Sequence, residues 1–304
     1  AGTTSSALAF GGGASTQMTA STEEWTGAGA DIGAWATGGN LNTARNAVAV
    51  GGSGTQTAGL CFAGSEPPRS VLTEKYNGAT WTEVNDLNTA RNNPGGNGTQ
   101  TAALCFGGDA PPKNETELFN GTSWTELNNL NDPRGYGAGV GTSTAGLFVS
   151  GDYPVTANVE SWNGTSWTEI ANVNNATYEL AGSGTQTAAL KIGGTPNSAN
   201  TEVWNGSAWT EVNNLNTGRG GLGAGGTTST TLAFGGTPDS TKAEDWNGAS
   251  WSEVGDLNAG RSKIGGVGSA TAALAFAGDG APANFLALTE EWSGSSIASN
   301  VLTD

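Results

Sequence analysis

The sequence contains no histidine, two cysteines and one methionine, and only 12% of its 304 residues are charged. Without histidine there is no imidazole general base, no Ser-His-Asp triad and no histidine-ligated zinc or copper. Two cysteines, Cys61 and Cys105, are too few for a thiolate metal cluster or a disulfide framework, so they report no redox compartment. Basic residues are scarce as well, Lys+Arg 11 against Asp+Glu 27, for a formal net charge of −16. Such a chain has no electrostatic footprint for phosphate backbones or anionic lipid, which argues against nucleic-acid and membrane-surface partners. No run of eighteen apolar residues is present to insert into a bilayer, and the sequence shows no basic, apolar, small-residue leader.

Glycine is abundant, at 50 residues, and with threonine, asparagine and serine it would suggest low complexity but for eleven tryptophans. Disordered chains are short of large aromatics, and here the aromatics recur at an interval. The anchors are Trp25, Tyr76, Phe119, Trp162, Trp204, Trp246 and Trp292, spaced by 51, 43, 43, 42, 42 and 46 residues. A second tryptophan follows five residues later in five units, as Trp81, Trp124, Trp167, Trp209 and Trp251. In the first unit it is Trp35, ten residues on after an insertion, and in the last Ile297 falls in its place.

Each of the seven units parses into four short strands. The first follows an arginine, and the second is small and apolar and ends in a glycine pair or its equivalent, as in ALCFGG. The third carries Glu and then the anchor, and the fourth opens at the second tryptophan. Asn-Gly separates strands 3 and 4 in five units and predicts a two-residue turn with positive φ at both positions, which would make Tyr76 and Trp81 diagonal neighbours. No helical periodicity interrupts the array. The expectation is therefore all-β: one domain over residues 1–304, a seven-bladed β-propeller of four-stranded antiparallel blades. The first blade lacks its inner strand, and the tail after Trp292 either completes blade seven or crosses to blade one.

The order Arg, apolar strand, Gly pair, Glu-x-aromatic, Trp resembles the kelch repeat over essentially the whole chain. The Gly pairs are Gly107-Gly108, Gly193-Gly194 and Gly235-Gly236, and Glu precedes the anchor by two at Glu23, Glu74, Glu117, Glu160, Glu202, Glu244 and Glu290. The phrasing of the repeats is also similar to kelch-like proteins predicted in marine bacteriophage genomes. Enzymatic kelch proteins include copper radical oxidases, whose chemistry needs histidine, so the resemblance implies a binding module. Kelch propellers dock peptide partners on the face carrying the strand 2 to strand 3 loops.

The repeated residues point to structure. The strand-3 glutamates could form a ring of cation ligands, but residues present in every unit serve the unit, and hydrogen bonds to a neighbouring blade are the simpler role. The motif arginines Arg45, Arg91, Arg134, Arg219 and Arg261 brace the connection from strand 4 to strand 1; unit five has Tyr178 near that position instead. Lys191, in a strand-2 slot otherwise filled by Ala, Cys or Phe, is unexplained by the repeat. Cys61 and Cys105 occupy that same slot and read as packed small residues. A catalytic carboxylate pair should break the pattern, and the obvious glutamates keep it, so no enzyme is expected. No cofactor is implied; calcium at the Asp- and Asn-rich corners is conceivable, although no spacing matches a known loop.

The units differ most in the strand 2 to strand 3 loops, which carry most of the prolines. There, Arg69, Lys113, Tyr153, Lys242 and Phe285 are the binding-face candidates. The function expected is a non-catalytic propeller, a phage virion appendage or adhesin on host-surface glycan or protein, placed on the virion or outside the cell. The alternative is a structural subunit assembling with itself or other virion proteins, with a polysaccharide-active enzyme third.

Overall fold

The computed structural model describes residues 2–3, 6–14, 17–25, 33–237, 240–280 and 285–294, with residues 2–25 described by backbone alone. The first three strands, β1 (Gly2–Thr3), β2 (Ser6–Ala14) and β3 (Gln17–Trp25), form a sheet of their own, and β4 (Ala34–Thr37) follows. Blade 1 is β5 (Ala49–Val50), β6 (Leu60–Phe62), β7 (Thr73–Tyr76) and β8 (Trp81–Val84). Blade 2 is β9 (Gly95–Thr99), β10 (Ala102–Phe106), β11 (Thr116–Phe119) and β12 (Trp124–Glu126). Blade 3 is β13 (Ala138–Gly141), β14 (Gly146–Gly151), β15 (Thr156–Trp162) and β16 (Trp167–Ile170). Blade 4 is β17 (Ala181–Thr185), β18 (Ala188–Ile192), β19 (Thr201–Trp204) and β20 (Trp209–Glu211). Blade 5 is β21 (Gly223–Gly226), β22 (Thr231–Phe234), β23 (Ala243–Trp246) and β24 (Trp251–Glu253). Blade 6 joins β25 (Gly265–Gly268), β26 (Ala272–Phe276) and β27 (Thr289–Ser293) to β4 from the other end of the chain.

The ring therefore has six four-stranded antiparallel blades, not the seven expected. Seven anchors are present, but ring closure draws one blade from two units. Strand β4 lies antiparallel on β27 with Trp35 opposite Trp292, the pairing that Tyr76 and Trp81 make in blade 1. Trp35 is thus the missing second tryptophan of the last unit, and its own unit's hairpin, β2–β3, stands outside the ring. The Ile297 slot and the tail lie outside the described residues, and blade 6 is completed without them.

Inner strands meet round the axis, β5 with β9, β9 with β13, and so on until β25 meets β5. Glycine is required by that crowding: a Cβ on Gly139 of β13 would lie 2.2 Å from the Gly96 carbonyl oxygen of β9. At the end of strand 2 the backbone takes two positive-φ residues in every blade, for example Gly107 and Gly108 (φ 65 and 112) or Ser150 and Gly151 (φ 60 and 129). The second position is glycine throughout: a side chain there would be strained and would also meet the connection that enters the same blade, as at Gly151 against the Gly135 carbonyl.

The Asn-Gly corners are four-residue turns, which corrects the two-residue turn expected. Tyr76 and Trp81 are directly opposed, Gly78 alone has positive φ, and Asn77 Oδ1 accepts from the amides of Ala79 and Thr80 at 2.9 Å. The asparagine side chain, not a left-handed backbone, makes this corner.

The strand-4 tryptophans are buried and staple successive blades. Trp124 Nε1 donates to Thr73 Oγ1 of blade 1, Trp167 to Thr116 of blade 2 and Trp251 to Thr201 of blade 4. Trp81 closes the circle on Thr289 of blade 6 at 2.9 Å. Trp209 has no acceptor among the described residues because the matching residue of blade 3 is Val159.

Candidate functional site

The repeated charges are internal. Glu74, Glu117, Glu160, Glu244 and Glu290 each hold a buried motif arginine, as Arg45–Glu74 at 2.8 Å and Arg134–Glu160 at 2.6 Å. The other carboxylate oxygen accepts from the backbone and side-chain amides of an asparagine in the connection entering the blade, Asn42 on Glu74 and Asn258 on Glu290. Blade 4 has Thr177 where the arginine stands elsewhere, and Lys191 supplies the cation, 3.7 Å from Glu202 and donating to Asn200 at 2.6 Å. The two irregularities in the sequence, a missing arginine and a stray lysine, are one compensation: the charge arrives from strand 2 instead of the corner. Burial lowers the Lys191 pKa, and Glu202 opposes that shift. Cys61 and Cys105 are free, fully buried thiols that burial pushes up to about 12, so neither is poised to react. Among the described residues no group of three or more carboxylates or thiols is placed to hold a metal ion, and no helix is long and apolar enough to cross a membrane.

Two residues after each of the five motif arginines, and after Thr177 in blade 4, the chain turns inward at the mouth of the axial channel. The six residues there are Ala47, Asn93, Tyr136, Glu179, Gly221 and Lys263, all at positive φ between 50 and 64. They are chained by backbone hydrogen bonds round the axis: Ala47 N to Lys263 O, Asn93 N to Ala47 O, Tyr136 N to Asn93 O, Glu179 N to Tyr136 O and Gly221 N to Glu179 O, at 2.7–3.1 Å. The repeat thus builds a rigid ring and then places six different residues on it. Below them lies a second ring, Val48, Pro94, Gly137, Leu180, Leu222 and Ile264, and the mouth encloses about 90 Å³. Deeper, a cavity of about 110 Å³ runs between the Gly- and Ala-rich inner strands.

Three of the four tyrosines gather beside this mouth. The Tyr136 ring lies 5.6 Å from that of Tyr153 and 6.1 Å from that of Tyr178, and Tyr153 Oη donates to Tyr136 Oη at 3.4 Å. Lys113 Nζ sits 3.3 Å from the centre of the Tyr153 ring, a cation–π contact. Burial, then the bond to Tyr153 and the nearby charges of Asp109 and Glu179, push the Tyr136 phenol well above its ordinary range, so it stays neutral. Tyr153 and Val155 are the exposed large apolar side chains among the described residues. Lys113, Tyr136 and Tyr153 are all held at positive φ (68, 62 and 92), a conformation costing a side chain ~1–2 kcal/mol that glycine would avoid.

Of the candidates named from sequence, the structure brings Lys113 and Tyr153 into contact. Arg69 lies nearby on the blade 1 loop and is tied to Asp109 of the blade 2 loop at 2.9 Å. Lys242 pairs with Glu253 on blade 5, and Phe285 is half-buried in the blade 6 loop, so these two do not join the cluster. Tyr136, Glu179, Asn93 and Lys263 were not singled out. Their signal was available as the position two residues after the arginine, the one place in an otherwise repetitive corner where no two units agree.

No family model and no curated protein matches the chain. The solved structure of YjhT is similar in fold, with a TM-score of 0.66 at 12% identity over 82% of this chain and 95% of that one. That likeness and the blades described above make this a kelch-like β-propeller fold.

Proposed function

We propose that the protein is a non-catalytic binding module whose working surface is the loop face around the channel mouth, centred on Tyr136, Tyr153 and Lys113. The observation that carries this reading is the positive φ of all three residues at positions where the scaffold would accept glycine more cheaply; backbone cost retained at a cluster of one exposed and two half-buried aromatic and basic groups is a mark of use. A host-surface glycan or protein is the partner class this face suits, since tyrosine rings offer apolar faces with polar edges. Membership of the kelch family and a place on a marine phage virion rest on the repeat and its phrasing. The acidic, lysine-poor surface suits solubility in high salt.

The test is a glycan array and a host-cell binding assay with the intact protein and with Tyr153→Ala. Binding that is lost in the variant while its melting temperature stays within a few degrees supports the reading; binding unchanged by Tyr153→Ala, or no binding by the intact protein, overturns it. A second reading, a self-assembling structural subunit, would show as a discrete oligomer by mass photometry without any ligand.

A further inference from the structure

The axial funnel is chemically distinct from the tyrosine patch beside it. Among the described residues, ten of the eleven basic side chains are engaged. All six arginines are ion-paired, as are Lys191 and Lys242; Lys75 donates to the Gly121 carbonyl and Lys113 stands on Tyr153. Lys263 alone has no carboxylate, carbonyl or ring partner there, in a chain with sixteen more acidic than basic residues. It is half-buried at the mouth. Two places round the ring stands Glu179, also half-buried, whose carboxylate accepts from the Thr195 hydroxyl at 3.0 Å and makes no ion pair among the described residues. Gly221 lies between the two and contributes no side chain of its own; a Cβ there would lie 3.6 Å from Cγ of Lys263. Directly beneath them the wall turns apolar, with Val48, Pro94, Leu180, Leu222 and Ile264.

From this arrangement we infer that the funnel binds a small zwitterion with an apolar tail, of the class of a free aliphatic α-amino acid. Its carboxylate meets Lys263, its ammonium meets Glu179 across Gly221, and its side chain descends past the apolar ring. A purely anionic ligand would face Glu179 uncompensated, and a purely cationic one would leave Lys263 as it is; the zwitterion satisfies both charges at once, and half-buried charges gain most from such pairing. The mouth and channel volumes, about 90 and 110 Å³, set the size class, one amino acid and not a peptide. This goes beyond the patch reading and is independent of Tyr153.

Isothermal titration of the intact protein with L-leucine tests it, with N-acetyl-leucine and leucinamide as ligands that each lack one charge. Saturable binding of leucine is expected, weakened roughly tenfold or more for either derivative and for Lys263→Gln and Glu179→Gln, since removing one partner leaves the other charge unpaired. Absence of leucine binding, or equal binding of all three ligands, overturns the inference on wild-type protein, whatever the variants do. The leucine titration reads the funnel, and the glycan and host-cell assay reads the patch, so failure here and failure of the patch reading are separable.

Discussion

Strands β2 and β3 pair Ala7-Leu8-Ala9-Phe10 with Thr22-Glu23-Glu24-Trp25, and β26 and β27 pair Ala273-Leu274-Ala275-Phe276 with Thr289-Glu290-Glu291-Trp292. The letters are the same and so is the register, Ala opposite Trp and Phe opposite Thr. One hairpin is built into the ring and the other stands apart from it. Hairpin pairing is local and follows from the letters, whereas ring membership depends on neighbours that the letters do not name. The second hairpin has those neighbours. Trp81 and Gln56 of blade 1 donate to Thr289 Oγ1 and to the Trp292 carbonyl, and Tyr76 Oη donates to Glu291 at 2.5 Å. Strand β4 then covers its edge, where Trp35 packs on Trp292 and Phe234 with ring centres 5.4 and 5.0 Å away.

The largest expected difference lies in two truncations only five residues apart. Removing residues 1–32 takes away the outlying hairpin and should leave the melting temperature within a few degrees of the intact chain. Removing residues 1–37 also takes β4, opens the edge of β27 and costs the burial of Trp35, ~3–5 kcal/mol for that side chain alone. Calorimetry of both decides the matter, and equal melting temperatures would break the comparison.

Next come paired substitutions. Glu290→Ala leaves Arg261 charged, buried and unpaired, and should destabilise by roughly 3–5 kcal/mol. Glu23→Ala, the same letter in the other hairpin, should fall within about 0.5 kcal/mol of wild type in a urea titration.

A pH profile isolates the seam between blades 1 and 6. Burial, then the bond to Glu291, raises the Tyr76 phenol from 10.0 to about 12. The folded state therefore holds this proton where the unfolded chain has lost it, so the contribution is full below pH 10 and is lost as pH rises through 12. Urea midpoints of wild type and Tyr76→Phe should converge over that window. The smallest effect expected is a gain: Val159→Thr offers Trp209 Nε1 the hydroxyl acceptor that other blades have, for about 1 kcal/mol of added stability.

Strand order, the buried tryptophans and the four-stranded blade were legible because each depends on spacing within one unit. Blade number was not, because Trp35 had to be moved from the unit it follows to the unit that ends the chain, and no periodicity marks that exchange. The arginines and glutamates were each readable as structural, but not as partners of one another; Lys191 and Thr177 lie fourteen residues apart, and their compensation needs the hairpin that brings β18 beside Glu202. The tyrosine cluster was half legible: Lys113 and Tyr153 stand out in varied loops. Tyr136 and Lys263 were hidden in the corner after the arginine, whose inward, left-handed turn only the closed ring reveals.

The most direct test of the six-bladed ring is a cross-link at its joint. Ala34 of β4 is opposite Ser293 of β27, both exposed, while the native cysteines are buried. Directly opposed residues of antiparallel strands lie ~4.5–5.5 Å apart, within disulfide reach. Ala34→Cys with Ser293→Cys should oxidise to an intramolecular disulfide in the folded monomer. Ala34→Cys with Thr26→Cys, the residue following β3, should not. Cross-linking of the second pair in place of the first would show β4 on its own unit's hairpin and would contradict the account.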